Sequence, residues 1–213
     1  GVGNPIIPAG MLSLRDIRGD YPKDAYGIDF NGNGQKDILL LTESHFYIVS
    51  EQGMGKKFFK SVPVSEIKSA DIFGDGKEVA ILAGVNASMI SYNGYDYNFS
   101  TIAKPSKPLN SITSANLDSD IEKEIITGGE TISGEGNISV YDYNSSLKKW
   151  DKTHSYNTGA GMPIKKIIAI NLDNGNEYQV GDEKIEILAL SEKYVYCFHT
   201  KEGSTLSLLW SYP

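Results

Sequence analysis

The chain has 213 residues and 23.3 kDa, with 20 Lys and Arg against 27 Asp and Glu and a net charge of −7. That length gives one domain or two small ones, the acidic balance argues against a nucleic acid held through its phosphates, and no apolar run approaches the ~18 residues of a membrane span. With 22% charged and 40% hydrophobic residues, the composition is that of a folded chain and not of a disordered one.

Residues 1–23 differ in character from the rest of the chain. They open Gly1-Val2-Gly3-Asn4-Pro5 without an initiator Met or a basic-then-apolar leader, so the chain reads as a processed chain or an excised piece. The stretch from Pro5 to Leu14 is apolar and kept extended by its prolines, an arm too short to be a domain. From residue 24 the chain runs through four cycles of short strands. In the first cycle strands are expected at 38–41, 45–49 and 57–62, after an acidic turn that begins at Asp29. The second cycle places them at 64–70, 79–83, 88–92 and 97–102, and the third at 109–115, 125–127, 138–143 and 150–156. The fourth places them at 164–170, 185–190, 194–199 and 206–212. Short runs of alternating polarity, rich in Tyr and β-branched residues and broken by Gly, Asn and Pro, read as strands. No window carries the apolar stripe of a long helix.

The same acidic turn recurs in each cycle, before the compact apolar strand. It runs from Asp29 to Asp37, from Asp71 to Glu78, from Asn116 to Glu124, and in stretched form from Asn171 and Asp173 to Glu186. Four strands per unit at ~40–50 residues per repeat are the signature of a β-propeller blade. The expected fold is therefore all-β, a propeller of about four four-stranded blades over 24–62, 63–105, 106–160 and 161–213, preceded by the arm. A two-sheet sandwich is the alternative. It gives the acidic turn no reason to recur at one place in a four-strand cycle.

In the first turn Asp29, Asn31, Asn33 and Asp37 put side-chain oxygens at alternate positions, Gly34 permits the reversal, and Gln35 adds a backbone carbonyl. Six to eight oxygens around one centre is what Ca²⁺ requires. The third turn repeats the spacing with Asn116, Asp118, Asp120, the Glu122 carbonyl and Glu124. This strand–Asp-x-Asp-x-Asp-Gly–strand repeat resembles the FG-GAP/VCBS repeats of integrin α-chain-type propellers, over roughly residues 24–213. The resemblance implies Ca²⁺ at the first and third turns, held by the residues just named. The second turn reads one residue shorter and has Phe73 where a ligand belongs, leaving Asp71, Asp75 and Glu78 as weaker ligands. The third has Ile121 in place of the Gly, and the fourth keeps Asn171 and Asp173 but loses the spacing. For the second and fourth, turns whose side chains bond their own backbone are the simpler reading.

Little else points to chemistry. His45, His154 and His199 fall on three different expected strands, and no nucleophile, zinc or phosphate-loop motif occurs. Cys197 reads as a buried apolar residue, and Trp150 and Trp210 as packing residues of fourth strands. Arg18-Gly19-Asp20 matches a receptor-read tripeptide of a kind that arises by chance. Asn86, Asn98, Asn137 and Asn144 match the N-glycosylation pattern and are expected in turns or at strand edges. The expected function is that of a non-enzymatic, calcium-stabilised protein outside the cell or on its surface. It would self-assemble into a filament or layer through its terminal strands, including the apolar arm. An adhesion or ligand-binding domain cut from a larger surface protein is the alternative, with surface glycans or proteins as its partners. A propeller lyase or glycan hydrolase is a third reading. Nucleic acid and membrane are not expected as partners.

Overall fold

The computed structural model describes residues 20–50, 55–59, 63–118, 120–171, 185–201 and 205–213. Among them are sixteen β-strands and no helix, arranged as four four-stranded sheets. The first sheet holds β1 (Pro22–Ile28), β2 (Asp37–Thr42), β3 (His45–Val49) and β4 (Gly55–Phe59). The second holds β5 (Val64–Ala70), β6 (Val79–Gly84), β7 (Ala87–Tyr92) and β8 (Tyr97–Ala103). The third holds β9 (Ser111–Ala115), β10 (Glu124–Glu130), β11 (Glu135–Asn144) and β12 (Lys149–Ala160). The fourth holds β13 (Lys166–Ile170), β14 (Glu186–Leu190), β15 (Val195–Lys201) and β16 (Thr205–Tyr212). Every sheet is an antiparallel meander in sequence order, which short loops between adjacent strands allow.

Alternation along each second strand divides its side chains between two neighbours. Leu39 and Leu41 of β2 meet Ala80 and Leu82 of β6, while Ile81 and Ala83 turn the other way, toward Ile112 and Ile125 of the third sheet. Ile126 of β10 then meets Ile187 and Ala189 of β14. Three cores result, one between each consecutive pair of sheets. β6 is buried along its whole length, and β10 in all but its last residue. Close approach is built in at Gly128, where a Cβ would stand 2.6 Å from the Ile167 side chain and 2.7 Å from that of Ile164.

The propeller expected from the repeat is not what the chain forms. The four sheets are separate, none is closed, and consecutive ones pack face to face as in a sandwich. Among the described residues no core joins the fourth sheet to the first. The end sheets show it in their exposure: Ile38 is 50% exposed on β2, and Ile168 and Ile170 are 44% and 41% exposed on β13. A recurring turn reports the period of the unit. Closure depends on the angle at which sheets pack and on how the last meets the first, which no local pattern encodes.

One side chain ties three sheets together. The Glu66 carboxylate on β5 accepts hydrogen bonds from the Ser111 hydroxyl and the Ile112 N–H of β9, and pairs with Lys166 of β13. Ser111 in turn accepts a bond from Ile167 N–H at 3.0 Å. Burial works to raise the Glu66 pKa, but the bonds from Lys166, Ser111 and Ile112 outweigh it and hold the carboxylate below its ordinary range. Replacing Glu66 with Ala strands the fully buried Ser111 hydroxyl, and urea unfolding should report a loss of about 1–3 kcal/mol. Ile126→Ala, which opens a cavity in the third core, should cost about 2–5 kcal/mol in the same assay.

Candidate metal centre

The strand register fixes the geometry of the turns. Ile28 pairs with Asp37, Ala70 with Val79, and Ala115 with Glu124, so the first three turns have the same length. The second is therefore not shorter. Val79, buried in the second core, takes the place of the terminal acid, and Glu78 sits one position earlier and faces elsewhere. In the fourth, Ile170 pairs with Glu186 across the stretched insertion. Asn171 is exposed at its start, and Asp173 lies outside the described residues.

The first two turns close on themselves. Asp29 accepts from Asn33 N–H at 3.1 Å and Gly34 N–H at 2.8 Å, Asn31 from Asn33 N–H, and Asn33 from Gln35 N–H. Asp71 and Asp75 repeat this with Asp75, Gly76 and Lys77 N–H groups. Gly34 and Gly76 have φ of 83° and 81°, a left-handed backbone that side chains disfavour. Asp37 accepts a bond from the Tyr97 hydroxyl of the second sheet at 3.2 Å.

Neighbouring turns are also laced to each other. Glu78 N–H donates to the Asp29 carbonyl at 2.8 Å, and the Glu78 carboxylate accepts from Asp29 N–H and from Lys36 Nζ. Lys123 N–H donates to the Ile72 carbonyl at 2.8 Å. A Cβ on Gly74 would collide with the Ile121 side chain. Ile121, at the Gly position of the third turn, is 70% exposed and touches the preceding turn at Gly74.

The third turn is different in kind. Asp118, Asp120 and Glu124 each bring a carboxylate oxygen within 4.8 Å of the others. Asn116 Nδ2 donates to the Asp120 carbonyl, Asp118 accepts from Asp120 N–H, and one Glu124 oxygen accepts from Leu117 N–H at 2.6 Å. The other, Oε1, is buried and accepts no hydrogen bond. Asp142 of β11, one step beyond the Ile125–Tyr141 pair, adds a second buried and unpaired oxygen, Oδ1. Burial, then the charges of Asp118 and Asp142, push Glu124 up to about 7. Desolvation, then Asp118, Asp142 and Glu122, push Asp120 up to about 6, and burial with Asp118 and Glu122 raises Asp142 as well. A buried, under-bonded Glu124 beside the exposed Asp118 and Asp120, with Asp142 half-buried, is a mutually repelling set that fits a hard cation with oxygen ligands. Asp142 escapes a reading of the sequence; its only signal is an acid inside the alternating run Tyr141-Asp142-Tyr143.

The remaining candidates separate. His45 Nδ1 meets both Asp20 at 2.6 Å and Ser44 Oγ at 2.9 Å, so the two partners share one ring nitrogen and the relay of a hydrolase triad is not built. The Asp20 carboxylate, 8% exposed, accepts from Thr42 and Ser44 and is tied into the first sheet, while Arg18 and Gly19 lie outside the described residues. Cys197 is fully buried, and burial, with Glu186 nearby, pushes its thiol up to about 11. Trp150 packs as expected against Tyr143, but Trp210 is 46% exposed. Asn98 is exposed on β8 and Asn86 half-buried in the β6–β7 turn. Asn144 Nδ2 donates to Asp151 and its Oδ1 caps Leu147 N–H. Asn137 lies not at an edge but within β11, between β10 and β12. Its Nδ2 already donates two bonds, to Ser155 and Asn157, and a glycosylated amide keeps only one N–H.

No family model matches the chain, and no curated protein matches it in sequence. Its fold is similar to that of the V. cholerae biofilm matrix protein Bap1, known from a crystal structure, with a TM-score of 0.56 and 18% sequence identity. The match covers 88% of this chain and 28% of that one. At that identity the likeness is one of fold alone.

Because Asp120 and Glu124 have folded pKa values above their unfolded ones, the native cation-free protein keeps protons that the unfolded chain has lost between about pH 4.5 and 7. Stability from these groups therefore falls as pH rises through that window. In chelator, Glu124→Gln should raise the melting temperature at pH 8 by about 2–4 °C or more and flatten its pH dependence.

Proposed function

We propose that the chain is a structural or adhesive module of an extracellular matrix, joined to further copies through its last sheet and stiffened by Ca²⁺ at the third turn. The observation that carries this reading is β16. It forms the outer edge of the fourth sheet, eight residues long, with Leu208, Leu209, Trp210 and Tyr212 between 38% and 71% exposed. A long apolar edge presents backbone groups and side chains to another strand. Trp210, Ser211 and Tyr212 also line, with Val195, a shallow hollow of about 460 Å³. The fold likeness to a biofilm matrix protein supports an extracellular setting, and among the described residues no helix is long and apolar enough to cross a membrane. The arm expected to take part lies outside the described residues.

For the cation, Asp118, Asp120, Glu124 and Asp142 supply carboxylates, Asn116 an amide oxygen and Glu122 its carbonyl. An all-oxygen donor set selects a hard ion, and a flexible turn suits Ca²⁺ better than the octahedral demand of Mg²⁺. The first turn holds two acids, Asp29 and Asp37, each already accepting hydrogen bonds.

Sedimentation equilibrium tests the assembly. The wild-type chain should associate at micromolar concentration, and Leu208→Lys with Trp210→Lys should leave it monomeric; a wild-type chain that stays monomeric sinks the reading. Calorimetric titration tests the cation: Ca²⁺ should raise the melting temperature by mass action, and Asp118→Asn with Asp142→Asn should weaken its affinity at least about ten-fold.

A further inference from the structure

The third sheet is longer than its neighbour. β11 and β12 run for 10 and 12 residues, against 7 for β8. Between them and the segment after β8 lies an open cleft of about 880 Å³, within the range of small-molecule sites. Its floor is made by β11 and β12, with Ile102 and the segment after it as the facing wall.

The floor is a ladder of neutral polar groups in fixed orientation. Asn137 Nδ2 donates to Ser155 Oγ at 2.9 Å and to Asn157 Oδ1 at 2.7 Å, and Ser139 Oγ donates to Asn137 Oδ1 at 2.8 Å. These bonds leave the Asn157 amide N–H groups for a ligand, while the Ser155 hydroxyl stands 3.4 Å from Ser139 Oγ, within reach of one; both residues are exposed. At the other end stands Trp150, half-buried, clamped by Tyr143 and Phe73 at centroid distances of 5.2 and 6.5 Å. The charges that line the cleft balance, Lys104 and Lys152 against Glu130 and Glu135, and Glu130 is paired with Lys107 at 3.3 Å.

We infer that this cleft binds a neutral saccharide. Sugars carry hydroxyl groups that both donate and accept, around an apolar C–H face. An amide–hydroxyl ladder satisfies the first and an immobilised indole the second. A phosphate-bearing ligand would need a cationic cluster, whereas Lys104 and Lys152 share the cleft with as many acids, Glu130 and Glu135. A lipid would need a continuous apolar lining, which Asn137, Ser139, Ser155 and Asn157 interrupt. The site is separate from the assembly edge on β16 and from the acidic turn, and either of those readings can fail without it.

The test uses hexasaccharides of glucose, galactose, mannose and N-acetylglucosamine, with a hexauronate as the charged control. Binding is read by calorimetry and by tryptophan fluorescence. At least one neutral oligomer should bind at millimolar concentration or below and perturb the emission. Asn157→Ala and Ser155→Ala, both at exposed positions, should each weaken binding at least about ten-fold with an unchanged melting curve. Trp150→Phe, which keeps an aromatic ring in the packing, should weaken it as well. The Leu208→Lys, Trp210→Lys variant should bind as the wild type does. The inference is overturned if no neutral oligomer binds at millimolar concentration, if the uronate binds best, or if the Asn157 and Ser155 variants bind undiminished.

Discussion

A sheet with two apolar faces cannot stand alone in water, and this requirement orders the whole molecule. The second and third sheets carry Ile, Leu, Val and Ala on both faces of β6 and β10, and each is covered from two sides. The first and fourth have one neighbour apiece, and their outward faces keep Ile38, Ile168 and Ile170 half in solvent. Ala80 and Leu82 of β6 face back and Ile81 and Ala83 forward, and β10 repeats the division with Ile125 and Ile126. Small residues such as Gly128 let the planes approach where a side chain would hold them apart.

The first three turns share a length but divide the chemistry among themselves. The first two spend their side-chain oxygens on their own backbone N–H groups. Such bonds stabilise a bend. In the third, Ile121 replaces a Gly and packs on Gly74, while acids from the turn and from β11 crowd one another without enough donors. Lys36 neutralises Glu78, and among the described residues no ion pair does so for the acids of the third turn. Desolvation, then repulsion, raises the pKa of Asp120, Glu124 and Asp142 together.

Strand positions are legible in the sequence because alternation and β-branched runs are local properties, and the acidic turns announce where the first pair of strands in each sheet is joined. Three things are not. Closure into a ring is a matter of sheet-to-sheet angles, so a propeller is inferred from a period that a row of sheets shares. The second turn looks short because Glu78 resembles the terminal acid, whereas pairing of Ala70 with Val79 gives that position to a core residue. Asp142 reaches the acidic turn only through the register of β10 with β11, from a strand that local spacing does not connect to it. The same is true of the polar ladder in the cleft. Asn137 reads as a glycan acceptor on an edge because its neighbours Ser155 and Asn157 are distant in sequence.

Equal turn length has a consequence for how such a chain can vary. A strand displaced by one residue exchanges its inward and outward side chains, which in a sheet buried on both sides would ruin two cores at once. The nine-position bend absorbs substitutions as different as Asp37, Val79 and Glu124 at its final place without shifting any partner. Alignment of the strands is thereby insulated from ligand chemistry: acids, amides and apolar residues can be traded within the bend while the layers behind it stay in step.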